Sequence, residues 1–193
     1  MKRAFQNKSG FTLTEIISVL GLTLLLTLII YNLFIISQKA FSAGDRQLEI
    51  TQNGRIFLDR LSRELRQTEE IITALPATKE VEGFPPATEI EFQDGHGLPD
   101  IQYLRYYVDT GQVKRQRKVY FFETEPETYV YWNAQDEFGQ PPSSLMIEER
   151  LIAEYVSDLN FYGSTVTYIE VWLNKQNSDL HLYTGVWGRN TRL

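Results

Sequence analysis

The chain is constrained most by one uncharged, strongly apolar stretch, which covers residues 16–38. Roughly 20 residues of this kind, at a helical rise of about 1.5 Å each, cover the ~30 Å hydrocarbon core of a bilayer. A single segment crosses that core only as a helix, because no water is available there for its backbone polar groups. We therefore predict one membrane-spanning helix over residues 11–38.

A single acidic residue, Glu15, stands at the start of this apolar stretch. A carboxylate is costly to place in a membrane, and residues of this kind usually have a specific partner. A plain membrane anchor has no need of the acid. An ordinary secretory leader would be cut beyond the apolar stretch, at small residues, and such residues occur at Ser37, Ala40, Ser42 and Ala43. That alternative leaves Glu15 unexplained.

A specific motif surrounds this glutamate. A short basic leader ends in Gly10, Phe11 follows it, and Thr12-Leu13-Thr14-Glu15 leads into the apolar run. Together these residues resemble the N-terminus of type IV prepilins and of type II secretion pseudopilins. The resemblance implies that a prepilin peptidase cleaves between Gly10 and Phe11 and that Phe11 is then N-methylated. It also implies that Glu15 is the assembly carboxylate, which pairs with the N-terminal amine of a neighbouring subunit in a filament.

Two later segments refine the resemblance. Residues 55–67 and 156–161 are similar to pseudopilin J and minor pilin W, which are tip components that initiate the filament. The implied partners are other pilin or pseudopilin subunits, the prepilin peptidase, an inner-membrane assembly platform and membrane lipid. A major pilin is the alternative within the family, and the absence of a cysteine pair and the chain length favour a minor subunit.

Charge and cysteine content limit the topology of the chain and the ligands that it can bind. The chain has 193 residues and a formal net charge of −6, yet Lys2, Arg3 and Lys8 precede the apolar stretch without any acid. The positive-inside rule then keeps the N-terminus in the cytoplasm and sends the C-terminal part across the membrane. The acidic remainder argues against nucleic acid as the main ligand. Without cysteine, the exported part uses no disulfide and no Cys-ligated metal.

Beyond the membrane, the sequence predicts an amphipathic helix over residues 39–75 that packs on a sheet. Its apolar stripe recurs at helical spacing, at Leu58, Leu61, Leu65 and Ile72. The helix is either continuous with the membrane helix or broken near Gly44 or Gly54, where turn-forming residues cluster. The arginines Arg60, Arg63 and Arg66 form either a solvated face or a contact strip for another subunit.

Residues 76–193 predict an exported, antiparallel β-rich domain, so the fold class is α+β and pilin-like, with residues 1–10 as the leader. Alternating apolar and polar residues between turn signals indicate strands at 88–92, 101–109, 118–122, 156–162, 165–173 and 179–187. A short strand is expected at 129–132, a loop at 133–144, and either a helix or a strand at 148–156.

Residues with catalytic or ligand-binding chemistry are few. The two histidines, His96 and His181, have no metal-ligand spacing, and no nucleophile elbow, phosphate loop or zinc-protease motif occurs. We therefore expect neither an enzyme nor a cofactor. Some pseudopilins bind calcium, and the loop acids that invite this comparison are Asp94, Asp100, Asp136 and Glu137.

One basic run, at residues 114–118, is flanked by aromatic residues. A basic and aromatic surface of this kind binds DNA in other proteins, although a solvated strand end beside an aromatic core explains the same pattern. The alternative function is thus a membrane-anchored exported binding domain, an adhesin or DNA receptor that uses the pilin export route.

Overall fold

The computed structural model describes residues 10–188. Its first element, α1 (Leu13–Gln67), is one helix of 55 residues. The chain forms two compact units, Met1–Asp45 and Arg46–Leu193, and α1 contributes to both. Gly44 and Gly54 lie inside the helix, so the alternative with a break at either glycine is wrong. Polar side chains near these glycines bond to helix carbonyls instead of forming turns, as Ser42 Oγ does to Gln38 O and Asn53 Nδ2 to Glu49 O.

The C-terminal part of α1 carries part of the predicted core stripe. Its buried residues recur at spacings of three and four, at Ile50, Gly54, Phe57, Leu61 and Leu65. Leu61 and Leu65 are confirmed, but Phe57 is buried where Leu58 was expected, and Ile72 lies beyond the end of the helix. The helix approaches the sheet closely at Gly54, since a Cβ placed there would lie 2.5 Å from Cδ1 of Leu182. The glycine that suggested a turn from sequence is therefore a packing residue.

The helix ends at Gln67 and not at residue 75 as the sequence predicts. The backbone beyond it pairs with a strand instead: Ile72 N donates to Glu91 O at 2.8 Å, and Gln93 N donates to Glu70 O at 2.9 Å. Ile71 forms an isolated antiparallel bridge with Phe92. Pairing to the sheet satisfies the polar groups that a longer helix would have used.

Eight strands follow, and every strand pair is antiparallel. Their bounds are β1 (Glu89–Gln93), β2 (Tyr103–Asp109), β3 (Gln112–Phe122), β4 (Glu125–Tyr129), β5 (Ser143–Ala153), β6 (Val156–Tyr162), β7 (Val166–Lys175) and β8 (Ser178–Trp187). One sheet has the order β1-β2-β3-β4, with β5 also paired to β3, and the second has the order β6-β7-β8. The α+β class and the antiparallel β-rich character are thus confirmed.

The strand predictions are correct for β1, β2, β6, β7 and β8 to within a few residues. Most of the region at 148–156, for which the sequence allows a helix or a strand, belongs to β5, which ends at residue 153, while Val156 begins β6. β5 begins inside the predicted loop 133–144. β4 ends where the short strand at 129–132 was expected to begin. β4 and β5 are mostly exposed, so neither has the clean alternation of apolar residues that marks a half-buried strand.

The long segment between α1 and β1 is fixed to the second sheet. Gly163 N donates to Pro76 O at 2.7 Å, and Ala87 exchanges two backbone hydrogen bonds with Phe161. Lys79 Nζ lies 2.5 Å from Oε2 of Glu170, whose side chain is only 8% exposed. We call these three contacts the loop clamp.

A polar cluster joins α1 to the first sheet. The Glu64 carboxylate accepts from Tyr106 Oη at 2.7 Å, from Arg115 Nε at 3.1 Å and from Arg60 Nε at 3.3 Å. Tyr106 is fully buried and packs between Phe57 and Phe92. Burial, and then the neighbouring Glu64 carboxylate, raise the pKa of Tyr106 well above its usual range.

Candidate functional site

The candidate site is the start of α1, where Glu15 lies in the first helical turn. Glu15 Oε2 accepts from Thr12 N and from Thr12 Oγ1, both at 3.0 Å, while Glu15 N donates to Thr12 Oγ1 at 3.3 Å. This reciprocal arrangement is a capping box, which satisfies backbone donors that the helix leaves unpaired. In the isolated chain Glu15 therefore has a local partner.

The capping role of Thr12 is one that the sequence analysis missed. The signal was present, because a threonine followed three residues later by a glutamate, just before an apolar run, is the pattern of a capping box. The same four residues thus carry a structural role as well as the motif that resembles prepilins.

The apolar side chains that follow Glu15 are bare. Large apolar residues from Leu13 to Ile36 are 47–75% exposed, except Ile35, which is half-buried. The helix is long and apolar enough to cross a membrane. Hydroxyls within this stretch bond to the helix backbone, Thr23 Oγ1 to Val19 O at 2.7 Å and Thr27 Oγ1 to Thr23 O at 2.8 Å. The stretch therefore suits a lipid or protein environment that offers no water.

The residues at the expected cleavage point precede the helix. Gly10 and Phe11 are exposed, Phe11 to 85%, and both come before Leu13, where α1 begins. Phe11 and Glu15 line one shallow apolar surface together with Ile16, Val19 and Leu20. The basic residues Lys2, Arg3 and Lys8 of the expected leader lie outside the described residues.

This arrangement has a simple chemistry. The carboxylate is the only charge on a long apolar surface, and its solvent-exposed oxygens accept hydrogen bonds from any cation that approaches it. Within a low-dielectric bundle of apolar helices, a matched cation is needed to offset the cost of desolvating the acid.

The two histidines lie apart and have structural partners. His96 Nδ1 is 2.9 Å from Oδ2 of Asp94, and the ring of His181 stacks on Trp172 with centroids 4.5 Å apart. Asp136 Oδ1 accepts from the backbone N–H groups of Phe138 and Gln140. Among residues 10–188, no group of three or more metal-ligating side chains converges.

The basic run at residues 114–118 belongs to β3, where acids neutralise it. The pairs are Lys114 with Asp109 at 2.5 Å, Arg115 with Glu64 at 3.1 Å, Arg117 with Glu148 at 3.2 Å and Lys118 with Glu91 at 2.8 Å. The run that suggested a DNA surface thus forms ion pairs with acids of the first sheet and of α1, which leaves little positive charge for phosphates.

The chain matches no model of a known protein family and no curated protein.

Proposed function

We propose that this chain is a minor pilin or pseudopilin, a structural subunit that is processed by a prepilin peptidase and assembled through its N-terminal helix. The observation that carries the proposal is the start of α1. A single carboxylate, Glu15, precedes a bare apolar surface, and the same helix ends on an antiparallel sheet domain. This geometry supports assembly through the N-terminal helix.

In the proposed mechanism, cleavage between Gly10 and Phe11 creates a new amine, which is then methylated on Phe11. The Glu15 carboxylate of one subunit pairs with this amine on a neighbouring subunit. Before assembly, Thr12 holds the carboxylate through two hydrogen bonds. The exchange of this local partner for a cation makes the pairing selective, because a subunit in the wrong register leaves the acid without a charge to offset its desolvation.

The proposed topology places the N-terminus in the cytoplasm and the C-terminal domain in the periplasm or outside the cell. The partners are other pilin or pseudopilin subunits, the peptidase, an inner-membrane assembly platform and membrane lipid. The pairing of the basic run in β3 with acids supports a role without nucleic acid.

The decisive experiment is intact-mass measurement of the full chain coexpressed with a prepilin peptidase. We expect loss of residues 1–10 and one added methyl group, and no cleavage of a Gly10→Ala variant. An uncut wild-type chain, or a cut near Ala43, would overturn the proposal.

A second experiment separates the assembly role of Glu15 from its capping role. Glu15→Leu removes the carboxylate and both hydrogen bonds that it accepts from Thr12, whereas Thr12→Val removes the hydroxyl of the cap and keeps the carboxylate, which still accepts from the N–H of residue 12. We expect both variants to be cleaved, Glu15→Leu to be lost from sheared filaments and Thr12→Val to be retained there. Equal loss of the two variants would mean that only helix capping matters.

A second candidate function is an anchored, exported binding domain, favoured by the aromatic outer face of the second sheet. The rings of Tyr168 and Tyr183 stack with centroids 5.7 Å apart, and Trp187 is 66% exposed. Exposed aromatic patches often mark interaction sites. This function predicts that a Gly10→Ala chain still binds its target at the cell surface, whereas a filament subunit of that sequence is inactive.

A further inference from the structure

A groove runs between α1 and the outer edge of β8. Its helix wall presents residues at spacings of three and four, its strand wall is Leu182–Thr184, and its volume is about 320 Å³. The residues on the helix side are Arg55, Leu58, Asp59, Ser62, Arg63 and Arg66. We call this feature the arginine groove.

Three arginines of the groove carry unmatched positive charge. Arg55, Arg63 and Arg66 are exposed and form no ion pair within residues 10–188, while Asp59 is the one acid that lines the groove. Arg60, in contrast, turns toward Glu64. The groove is therefore locally positive on a chain whose net charge is −6.

The strand wall also has unused hydrogen-bonding capacity. β8 ends the order β6-β7-β8 and pairs only with β7 among the described strands. The outer edge of such a strand presents backbone N–H and C=O groups that can pair with an added strand. Tyr183 lines the groove and is 53% exposed, and Trp187, at the end of β8, is 66% exposed.

The complementary surface occurs on the same chain. β4 is a short, exposed strand that pairs only with β3 among the described strands, and it carries Glu125 and Glu127, with Glu123 in the turn before it. Residues two apart on a strand share a face. Nearby, Asp136 and Glu137 line a shallow surface with Phe138, which is 84% exposed. We call this surface the acidic edge, and its three β4-side glutamates form no ion pair in the described part of the chain.

We propose that the arginine groove binds the acidic edge of a second copy of this chain. The charges are opposite, both surfaces include an edge strand, and each has an exposed aromatic residue to bury. The lengths are also similar: residues 55–66 of the helix extend about 16 Å, and residues 125–129 of β4 extend about 13 Å. Since the two surfaces differ, the contact is head-to-tail. A row of copies joined in this way has an unoccupied arginine groove at one end and an unoccupied acidic edge at the other. This contact does not depend on the proposed function, because an uncleaved membrane protein would make it equally well.

The absence of cysteine from the chain allows a direct test. Two full-length versions with different tags, one Thr124→Cys and the other Ser62→Cys, are coexpressed in one membrane without a peptidase and mildly oxidised. We expect a disulfide-linked heterodimer between the acidic edge and the groove. A control with Glu80→Cys, an exposed loop position, replaces Ser62→Cys, and an equal yield with this control would overturn the proposal.

Charge reversal then tests the chemistry of the contact. Arg63→Glu with Arg66→Glu on the groove version, or Glu125→Lys with Glu127→Lys on the other version, should each lower the yield about tenfold, because like charges across an interface are strongly unfavourable. The two reversed versions together should restore it, which unfolded variants would not do. The milder pair Arg63→Gln and Arg66→Gln, and salt raised to about 0.5 M, should give intermediate loss. A yield of the disulfide-linked dimer that does not change on charge reversal or with salt, or that the paired reversal does not restore, would overturn the contact. Cleavage after Gly10 would be unaffected by that result.

Discussion

Replacement of Glu64 by alanine tests whether the polar cluster, more than the apolar stripe alone, fixes α1 on the first sheet. The substitution leaves the buried Tyr106 hydroxyl without an acceptor, at a cost of about 1–3 kcal/mol. It also removes the carboxylate from Arg115, whose side chain is 11% exposed. Breaking a fully buried pair costs about 3–5 kcal/mol, but this site is partly solvated and Glu148 still lies 4.0 Å from Arg115. We therefore expect a total loss of about 3 kcal/mol.

A double-mutant cycle gives this prediction its sharpest form. Tyr106→Phe alone removes one hydrogen bond to a charged acceptor and should cost about 1.5 kcal/mol. In Glu64→Ala the orphaned hydroxyl is the penalty that Tyr106→Phe abolishes. The double variant then keeps only the loss at Arg115, about 1.5 kcal/mol and not the additive 4.5 kcal/mol, a coupling of about 3 kcal/mol.

The assay is urea unfolding of the full chain in detergent micelles, followed by tryptophan fluorescence. With a slope near 2 kcal/mol per molar urea, a loss of about 3 kcal/mol lowers the midpoint by about 1.5 M. Asp59→Asn, an exposed acid on the same helix with no ion pair to a described residue, is the control and should change stability by less than about 0.5 kcal/mol. Additive losses from Glu64→Ala and Tyr106→Phe would refute the cluster as a coupled unit.

Three further predictions concern the sheet domain. Burial raises the pKa of Tyr103 to about 12, so the free energy of unfolding should be constant below pH ~10 and fall as the pH rises toward ~12. Tyr103→Phe should reduce the slope of the free energy of unfolding against pH by about 1.4 kcal/mol per pH unit, measured by unfolding at a series of alkaline pH values. Gly163 has a φ of +116°, and a Cβ added there would lie only 1.9 Å from Val166 O. Gly163→Ala should therefore cost at least about 2 kcal/mol of stability, against about 1 kcal/mol for Gly139→Ala, where the space is open. Equal losses of the two variants in thermal melts would contradict this. Burial acts to raise the pKa of Glu170, but hydrogen bonds from Lys79 and Tyr162 outweigh it and lower the pKa, so the stability from Glu170 is present above pH ~4.5 and is lost on acidification. Lys79→Ala should remove most of that acid dependence, and an unchanged acid limb would argue against the ion pair.

The helix and most strands were predictable because their signals are local. An apolar run of membrane length, a stripe through Leu61 and Leu65, and alternation in β1 each depend on neighbours along the chain. The end of α1 was not predictable in this way. Gln67 is followed by residues that pair with β1 across the fold, and no residue near Thr68 signals that preference.

The features of the candidate site also fall into those that the sequence predicts and those that it does not. The motif around Glu15 was available from the sequence, and so was the capping partner Thr12, although only the motif was used. The neutralisation of most of the basic run in β3 was not available, because Arg115, Arg117 and Lys118 pair with acids of α1, β5 and β1, while Lys114 pairs with Asp109 across the β2–β3 turn. A charge run is interpretable only when the strands on either side of it are known.

The loop clamp has a consequence for the order in which the chain can fold. Residues 76–87 of the segment that links α1 to β1 are held by Phe161, Gly163 and Glu170, in or beside the second sheet, and the Lys79–Glu170 pair is separated by 91 residues along the chain. Contacts of such long sequence separation form late, after the loop-closure entropy has been overcome. Until β6 and β7 have formed, this part of the segment therefore lacks its clamp contacts and is accessible to proteases.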